Sequence, residues 1–442
     1  MNKENLMKIR RATVLILTVG LFLSVLTADL QSEPRGRHLF FNLSIFYPVS
    51  INQSIYDSTN INLSLFYGRV GQVHGFDLAW GVSAVEDNVK GLQVAGLAGV
   101  CGSSLTGVQM AGLFAVAGDE LSGAQVSGLF NVCGEEGEGL QASSFMNVTG
   151  NSFRGIQAAG FMNVAGEESI GLQAAGFMNV AGEESKGLQA AGLMNVTGNT
   201  YQGIQAAGGW NVVGESCRGI QAAGLFNVTG ETFRGLQAAG VFNVAGERLY
   251  GLQVGSMNAT ATSTGVQIGL ANAAGDLEGV QIGLVNYSKN TNGVPVGLVN
   301  ISKNDGRMRW ISWASNLTGV NSGVKFSIKR IYSIVALGSI NFTDDMNECL
   351  AYSCFYGLSF PLDSFSLNTD IGYMYIDNAT LFRSQMGTPD QQAIMLRASL
   401  NKRLSNTLSL FAGGGLSHIM ERGAPAGSSE FQPVFFAGLE LF

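Results

Sequence analysis

Metal binding, general acid–base work and nucleophilic catalysis all draw on histidine, cysteine and paired carboxylates, and in these 442 residues such groups are scattered. The only histidines, His38, His74 and His418, lie in unrelated segments, and no His-x-x-x-His or Cys-x-x-Cys spacing offers a zinc site. Without a placed histidine, nucleophilic catalysis lacks its usual base. No Gly-x-Ser-x-Gly elbow is present, and none of the 60 glycines leads into the Gly-Lys-Ser/Thr ending of a phosphate loop. The carboxylate pairs Glu135-Glu136, Glu167-Glu168 and Glu183-Glu184 recur periodically but lack the Gly-Gly-x-Gly-x-Asp calcium repeat, and Arg154, Lys186, Arg218 and Arg234 partly balance them. They read as solvated corners that resist aggregation. Five cysteines are an odd set for a disulfide framework. Cys101 and Cys133 hold the same place in repeats two apart, about 9–10 Å if the repeats stack as strands, which is beyond disulfide reach. They read as buried small residues, while Cys349 and Cys354 stay open between a bridge across a loop and two free thiols. No catalytic, cofactor-binding or metal-ligating residue is assigned, and no cofactor is expected.

The elements that carry these groups are repeats. From Gly91 to Tyr250 the sequence divides without a gap into ten 16-residue units, the clearest being GIQAAGFMNVAGEESI (155–170) and GLQAAGFMNVAGEESK (171–186). Residues 75–90 fit the same frame as a degenerate first unit, with Asp77 where Gln stands elsewhere, as terminal repeats of a stack often are. After Tyr250 four 14-residue units follow, from GLQVGSMNATATST (251–264) to GVPVGLVNISKNDG (293–306). A one-residue slip inside a strand would turn every later side chain to the opposite face, so a residue lost before the second glycine must be absorbed at a corner. Each unit then reads as a short strand such as Leu172-Gln173-Ala174, a corner at Gly176, a second strand Phe177–Val180 and a polar return through Glu183, Glu184 and Ser185. Stacking like on like would bury the apolar face that one unit cannot bury alone. It would also set Gln173 over Gln157 and Asn179 over Asn163 as hydrogen-bond ladders. The expected architecture of 75–306 is therefore a parallel β-solenoid. A rival reading makes each repeat one strand of a single large antiparallel β-barrel, since about 10 residues and a turn also fill such a period.

The flanks alternate at period two. Leu39 to Ile45 and Ile61 to Tyr67 read as strands within 29–74 that pair with a C-terminal barrel. Within 307–442 further strands are expected at 332–342, 351–360, 365–375, 394–403, 408–419 and 434–442. Phe365, Leu367, Ile371, Tyr373 and Tyr375 share one face, and Ser366, Asn368, Asp370 and Gly372 the other, the apolar-out, polar-in pattern of a membrane barrel. A soluble β-sandwich would show the same alternation. Terminal Phe442 favours the membrane, whereas Glu440 stands where outer-membrane tails usually carry an apolar side chain. Lys3, Lys8, Arg10 and Arg11 precede the apolar run 12–28, the layout of a secretory signal cut after Ala28. That cut removes four bases and one acid and moves the formal charge from −7 to −10, which disfavours nucleic acid or anionic lipid as partner.

The units GVQIGLVNYSKNTN and GLQAAGLMNVTGNT resemble the surface-repeat proteins of bacteria, which are built from Gly-x-Gln-x-Gly-Leu-x-Asn units. The likeness covers 75–306. It implies a place at the outer membrane or cell surface and brings no catalytic residues with it. Two functional classes follow. One is a non-enzymatic structural or adhesin-like repeat protein of the bacterial outer membrane or cell surface, with extracellular protein or glycan as ligand. The other is an outer-membrane channel or transport-related β-barrel.

Overall fold

The computed structural model describes residues 36–339, 350–377, 391–421 and 429–441. The expected signal segment 1–28, Cys349 and Phe442 lie outside these residues. The described residues contain no helix. They form a parallel solenoid of about 17 turns and a closed antiparallel barrel of eight strands. Two units divide the chain at Val241 and Phe242.

In the first unit a typical coil consists of the strand Glu168–Ala175, a two-residue corner at Gly176 and Phe177, the strand Met178–Ala181 and a second corner at Gly182 and Glu183. Each coil pairs in parallel with the next at a 16-residue offset, Gln157 beside Gln173 and Asn163 beside Asn179. Parallel pairing excludes the single large antiparallel barrel. Even the corners are laddered, since Gly176 N donates to Ala159 O at 3.2 Å and Glu183 N to Glu167 O at 2.7 Å. Gly171, inside the longer strand, bends the coil at φ +124°. A Cβ there would also fall 2.2 Å from the Gly155 carbonyl oxygen, so both the bend and the close stacking require glycine.

The coil is inverted relative to the sequence expectation. Stacking does not bury the Leu172–Met178 apolar face; it buries Gln173, Asn179, Ser169 and Ala181, none more than 3% exposed, while Phe177 remains 38% and Leu188 39% exposed. The reason lies in parity around the coil. Gln173, four residues after Ser169, and Asn179, two before Ala181, share the inward side, and a column of primary amides satisfies itself along the stack. Two further inward columns carry apolar or small groups, including Val73, Val89, Leu105, Leu121 and Phe153 on one and Val85, Cys101, Ala117 and Cys133 on the other. Gly137 leaves the room that the neighbouring Phe153 ring fills.

The N-terminal strands also differ from expectation. His38–Phe46 pairs in parallel with Ser58–Val70, and Ser58–Val70 with Gln72–Ala79, so both belong to the stack and not to the barrel, which closes without them. Asn42 stands beside Asn62 and Asn62 beside Asp77, continuing an inward amide column toward the chain start. Period-two alternation fixes which residues share a face and leaves the pairing partner open.

The second unit opens with further coils. Asn243 pairs with Asn258 at an offset of 15, and Gln253 with Gln267 at 14, with a register shift between Ala245 and Arg248. The period therefore shortens in two one-residue steps at different corners, of which the glycine corner is one and the polar return the other. The barrel follows as Gly306–Ser315, Val320–Ile328, Ile331–Ser339, Leu350–Pro361, Ser366–Asp377, Gln391–Arg403, Leu408–Glu421 and Ser429–Leu441. The last six match strands expected from the sequence; the first two were not foreseen. Closure comes from pairing the first strand with the last, Trp310 beside Leu441.

Candidate functional site

The residues with chemical potential stay apart. His38 Nδ1 shares a hydrogen bond of 3.0 Å with Ser58 Oγ, His74 is exposed on the strand Gln72–Ala79, and His418 stacks on Phe431 at 4.5 Å. Among the described residues no group of three or more His, Cys, Asp or Glu could hold a metal ion. Cys101 and Cys133 are buried and unbridged, as expected, with each thiol directed at carbonyl oxygens such as Asp87 O, 3.2 Å from Cys101 Sγ. Burial pushes the Cys101 thiol up to about 11 and those of Cys133 and Cys217 up to about 12, so none supplies a thiolate near neutrality. The acidic returns are solvated, and Lys186 Nζ lies 3.3 Å from Glu168 and 3.4 Å from Glu184. On that polar side Lys186, Arg218 and Arg234 border a shallow cleft of about 420 Å³ floored by Tyr201 and Cys217.

The inward amides form two columns of opposite polarity. Each Gln donates to the preceding coil, Gln173 Nε2 to Gln157 Oε1 at 2.8 Å, and each Asn to the following one, Asn163 Nδ2 to Asn179 Oδ1 at 2.9 Å. The Gln column ends on Asp77, where the short run Asn42–Asn62 arrives in the same register from the other side, whereas the Asn column starts only at Asn131, after Gly99 and Ala115. The Asp77 carboxylate receives Asn62 Nδ2 at 2.8 Å on one oxygen, and Gln93 Nε2 at 3.0 Å together with the Ser83 hydroxyl on the other. Only an acceptor without hydrogens satisfies donors arriving from both sides, which is why this coil departs from Gln. Complete burial raises the Asp77 carboxyl above its ordinary range against the lowering effect of Ser83, Asn62 and Gln93. At the other end Pro295 replaces Gln beside Gln281, and the Gln column stops there.

The barrel carries the densest cluster of ionisable groups, and its inner face is filled. Glu440 accepts Lys325 Nζ at 2.6 Å and Arg309 Nη1 at 3.2 Å. Asp370 accepts Arg397 Nε at 2.7 Å and the Tyr332 hydroxyl at 2.8 Å. The Arg397 guanidinium lies 3.4 Å from the Phe355 ring centroid and 4.7 Å from that of Phe436. Lys325, Asp370, Arg397 and Glu440 are each 6% exposed or less. The space left among these groups and Trp313, Ile334 and Phe411 is about 10 Å³, at the lower limit for a single water. Glu440, an anomaly as a tail residue, is thus explained as an inward ion-pair partner. Inward charges at alternate positions, such as Asp370 and Arg397, were the sequence signal for this cluster; their pairing required the barrel to close. The outer wall shows the reverse chemistry, with Ile371 56%, Leu396 63%, Leu416 58% and Phe435 64% exposed. The polar-in assignment of Asn368 and Asp370 holds, at 4% and 6% exposure.

No protein-family model matches the sequence, and no curated protein matches it. Among solved structures the chain is similar to the N-terminal β-barrel domain of Pseudomonas aeruginosa OprF, at 10% identity and TM-score 0.22, over 31% of this chain and 98% of that one. It is also similar to Neisserial surface protein A, at 12% identity and TM-score 0.20, over 31% of this chain and 93% of that one.

Proposed function

We propose that this chain is a non-enzymatic outer-membrane protein in which the eight-stranded barrel is the anchor and the repeat stack is a structural or interaction module. The carrying observation is the barrel's outer wall of bulky, exposed apolar side chains around an interior that holds the buried ion pairs of the barrel beside a packed cluster that includes Trp313, Phe355 and Phe436, the arrangement a strand-built membrane span requires. An eight-stranded barrel is just wide enough for its side chains to fill, and around Asp370, Arg397 and Glu440 they leave about 10 Å³, which favours an anchor over a channel.

The lengths of the connections favour one orientation. At one barrel end the connections are 329–330, 362–365 and 404–407; at the other they are 316–319, 340–349, 378–390 and 422–428. Outer-membrane barrels keep short turns toward the periplasm and longer loops outside. The first barrel strand starts from the short-turn end at Gly306, so the stack leads into the barrel from the periplasmic side. That orientation favours a component of the envelope as partner over the extracellular protein or glycan that surface display of the repeats would offer.

An epitope inserted at Asn316–Leu317 should be detected on intact cells, and one at Ser405–Asn406 only after the outer membrane is permeabilised. The reverse pattern would overturn the orientation. Recovery of the protein in the soluble periplasmic fraction would overturn the anchor.

A further inference from the structure

We propose that the last coils of the repeat stack, residues 251–305, present their outer face to the acyl chains of the membrane beside the barrel, an inference that rests on the outer-membrane reading of the barrel.

These coils keep their amides inside. Asn258, Asn272 and Asn286 each donate to the next Asn at 2.8–2.9 Å, and Gln281 donates to Gln267 at 2.8 Å. Their apolar side chains are therefore not used by the fold and stand outside in register, with Leu270 59%, Leu284 52%, Leu298 40%, Ile268 38%, Ile282 42% and Tyr287 42% exposed. Polar groups are segregated to the return, where Asn290 donates to Asp276 and Asn304 to Asn290, both at 2.6 Å, and Lys289 is exposed. A surface split in this way matches a water–lipid boundary.

The neighbouring surface identifies the occupant. The last coil is fixed to the outer wall of the barrel, with Tyr356 Oη donating to Pro295 O at 2.9 Å and Asn300 Nδ2 to the buried Ser333 Oγ at 3.1 Å. Between coil and wall runs a cleft of about 490 Å³ lined by Val296 and Leu298 on one side and Ile371, Tyr373 and Ile394 on the other. Ile371, Tyr373 and Ile394 belong to the apolar outer wall, so that wall continues through the cleft onto the coils. Whatever solvates the barrel wall there also reaches the coils. Leu270, Leu284 and Leu298 repeat one side chain at one corner, with no individual relief, which suits a fluid hydrocarbon partner better than the shaped anchors of a protein interface.

Site-directed spin labelling of the full chain in phosphatidylethanolamine–phosphatidylglycerol vesicles tests this. The background is Cys101→Ala, Cys133→Ala, Cys217→Ser, Cys349→Ser and Cys354→Ser; the first two place in the coil the alanine that neighbouring Ala117 already carries there, and the third the serine that Ser185 carries two coils earlier. Labels go on Leu284→Cys, with Leu270→Cys as an independent second site, on Leu396→Cys in the barrel wall and on Lys289→Cys on the polar return. The expected result is that labels at 284 and 270 relax with dissolved oxygen in preference to a water-soluble nickel chelate, as the label at 396 does, while the label at 289 shows the opposite preference. Nickel-favoured relaxation at 284 and 270 with oxygen-favoured relaxation at 396 would overturn the inference and leave the anchor intact. Protection of 284 and 270 from both reagents would also overturn it, in favour of a protein partner or a second copy. Nickel-favoured relaxation at 396 would remove the membrane reading itself, and the inference with it.

Discussion

Replacing Gln173 by Leu tests whether the amide columns behave as continuous ladders. Gln173 Nε2 donates to Gln157 Oε1 at 2.8 Å, and Gln189 Nε2 donates to Gln173 Oε1 at 2.7 Å. The substitution leaves one acceptor and one donor without these partners in an interior where Gln157 and Gln189 are at most 1% exposed. An unsatisfied buried polar group costs about 1–3 kcal/mol, so the two broken ends cost about 2–6 kcal/mol together. Replacing Gln157, Gln173 and Gln189 at once removes the bonds 141–157, 157–173, 173–189 and 189–205 yet still cuts the column at only two ends, besides taking from the Thr197 hydroxyl its 3.4 Å bond to Gln189 Oε1 and from Thr149 the 3.3 Å bond of Gln157 Nε2. Those ends are better placed, because Gln141 Oε1 also accepts Thr149 Oγ1 at 3.2 Å and Gln205 Nε2 also donates to Thr197 Oγ1 at 3.3 Å. The triple variant is therefore expected to cost about as much as the single one, well short of twice as much, although it breaks twice as many Gln–Gln bonds. Urea titrations of the full chain in detergent, read by hydrogen exchange of peptides spanning 150–210, give both values. A triple variant about twice as destabilised as Gln173→Leu would show that energy scales with bonds lost, and a single variant costing under about 0.5 kcal/mol would show that the ends are satisfied in another way. Either result refutes the reasoning.

Deleting the whole coil 171–186 joins Ile170 to Gly187, keeps every Gln and Asn column in register, and should leave a folded stack about 4.8 Å shorter; deleting only 171–178 should abolish folding of the stack. Protease resistance of the repeat region measures both, and equal resistance of the two variants would contradict nearest-neighbour stacking. The thiols of Cys101, Cys133 and Cys217, held well above the ordinary cysteine range by burial, should resist alkylation at pH 8 in the native protein and react once it is unfolded. Because a raised pKa leaves them protonated until the pH climbs through about 11 for Cys101 and about 12 for Cys133 and Cys217, native-state labelling should rise only there or on unfolding, and mass spectrometry of the labelled peptides decides it.

The sequence by itself determined the period, the register and the composition of the coil. A Gln every 16 residues from Gln93 to Gln253, joined from Asn131 to Asn243 by an Asn, lines up when like units stack in parallel, and Gln157 beside Gln173 is that alignment realised. Alternation likewise determined that Asn368 and Asp370 share a face opposite Ile371 and Tyr373. Tertiary structure decided which of two faces is inside. In the coils the amides won, since a column of Gln or Asn satisfies its own donors and acceptors while leucine outside loses only solvation. It decided that 38–46 and 58–70 join the stack, because alternation names a face and not a partner, and the partner is chosen by amide columns that continue to Asn62 and Asn42. Closure of the barrel likewise set Lys325 and Arg309 against Glu440, residues more than a hundred positions apart that no local pattern links. Local spacing encodes what sits beside what along a strand; burial and ion pairing depend on which strands meet, and that follows from the free energy of the whole assembly.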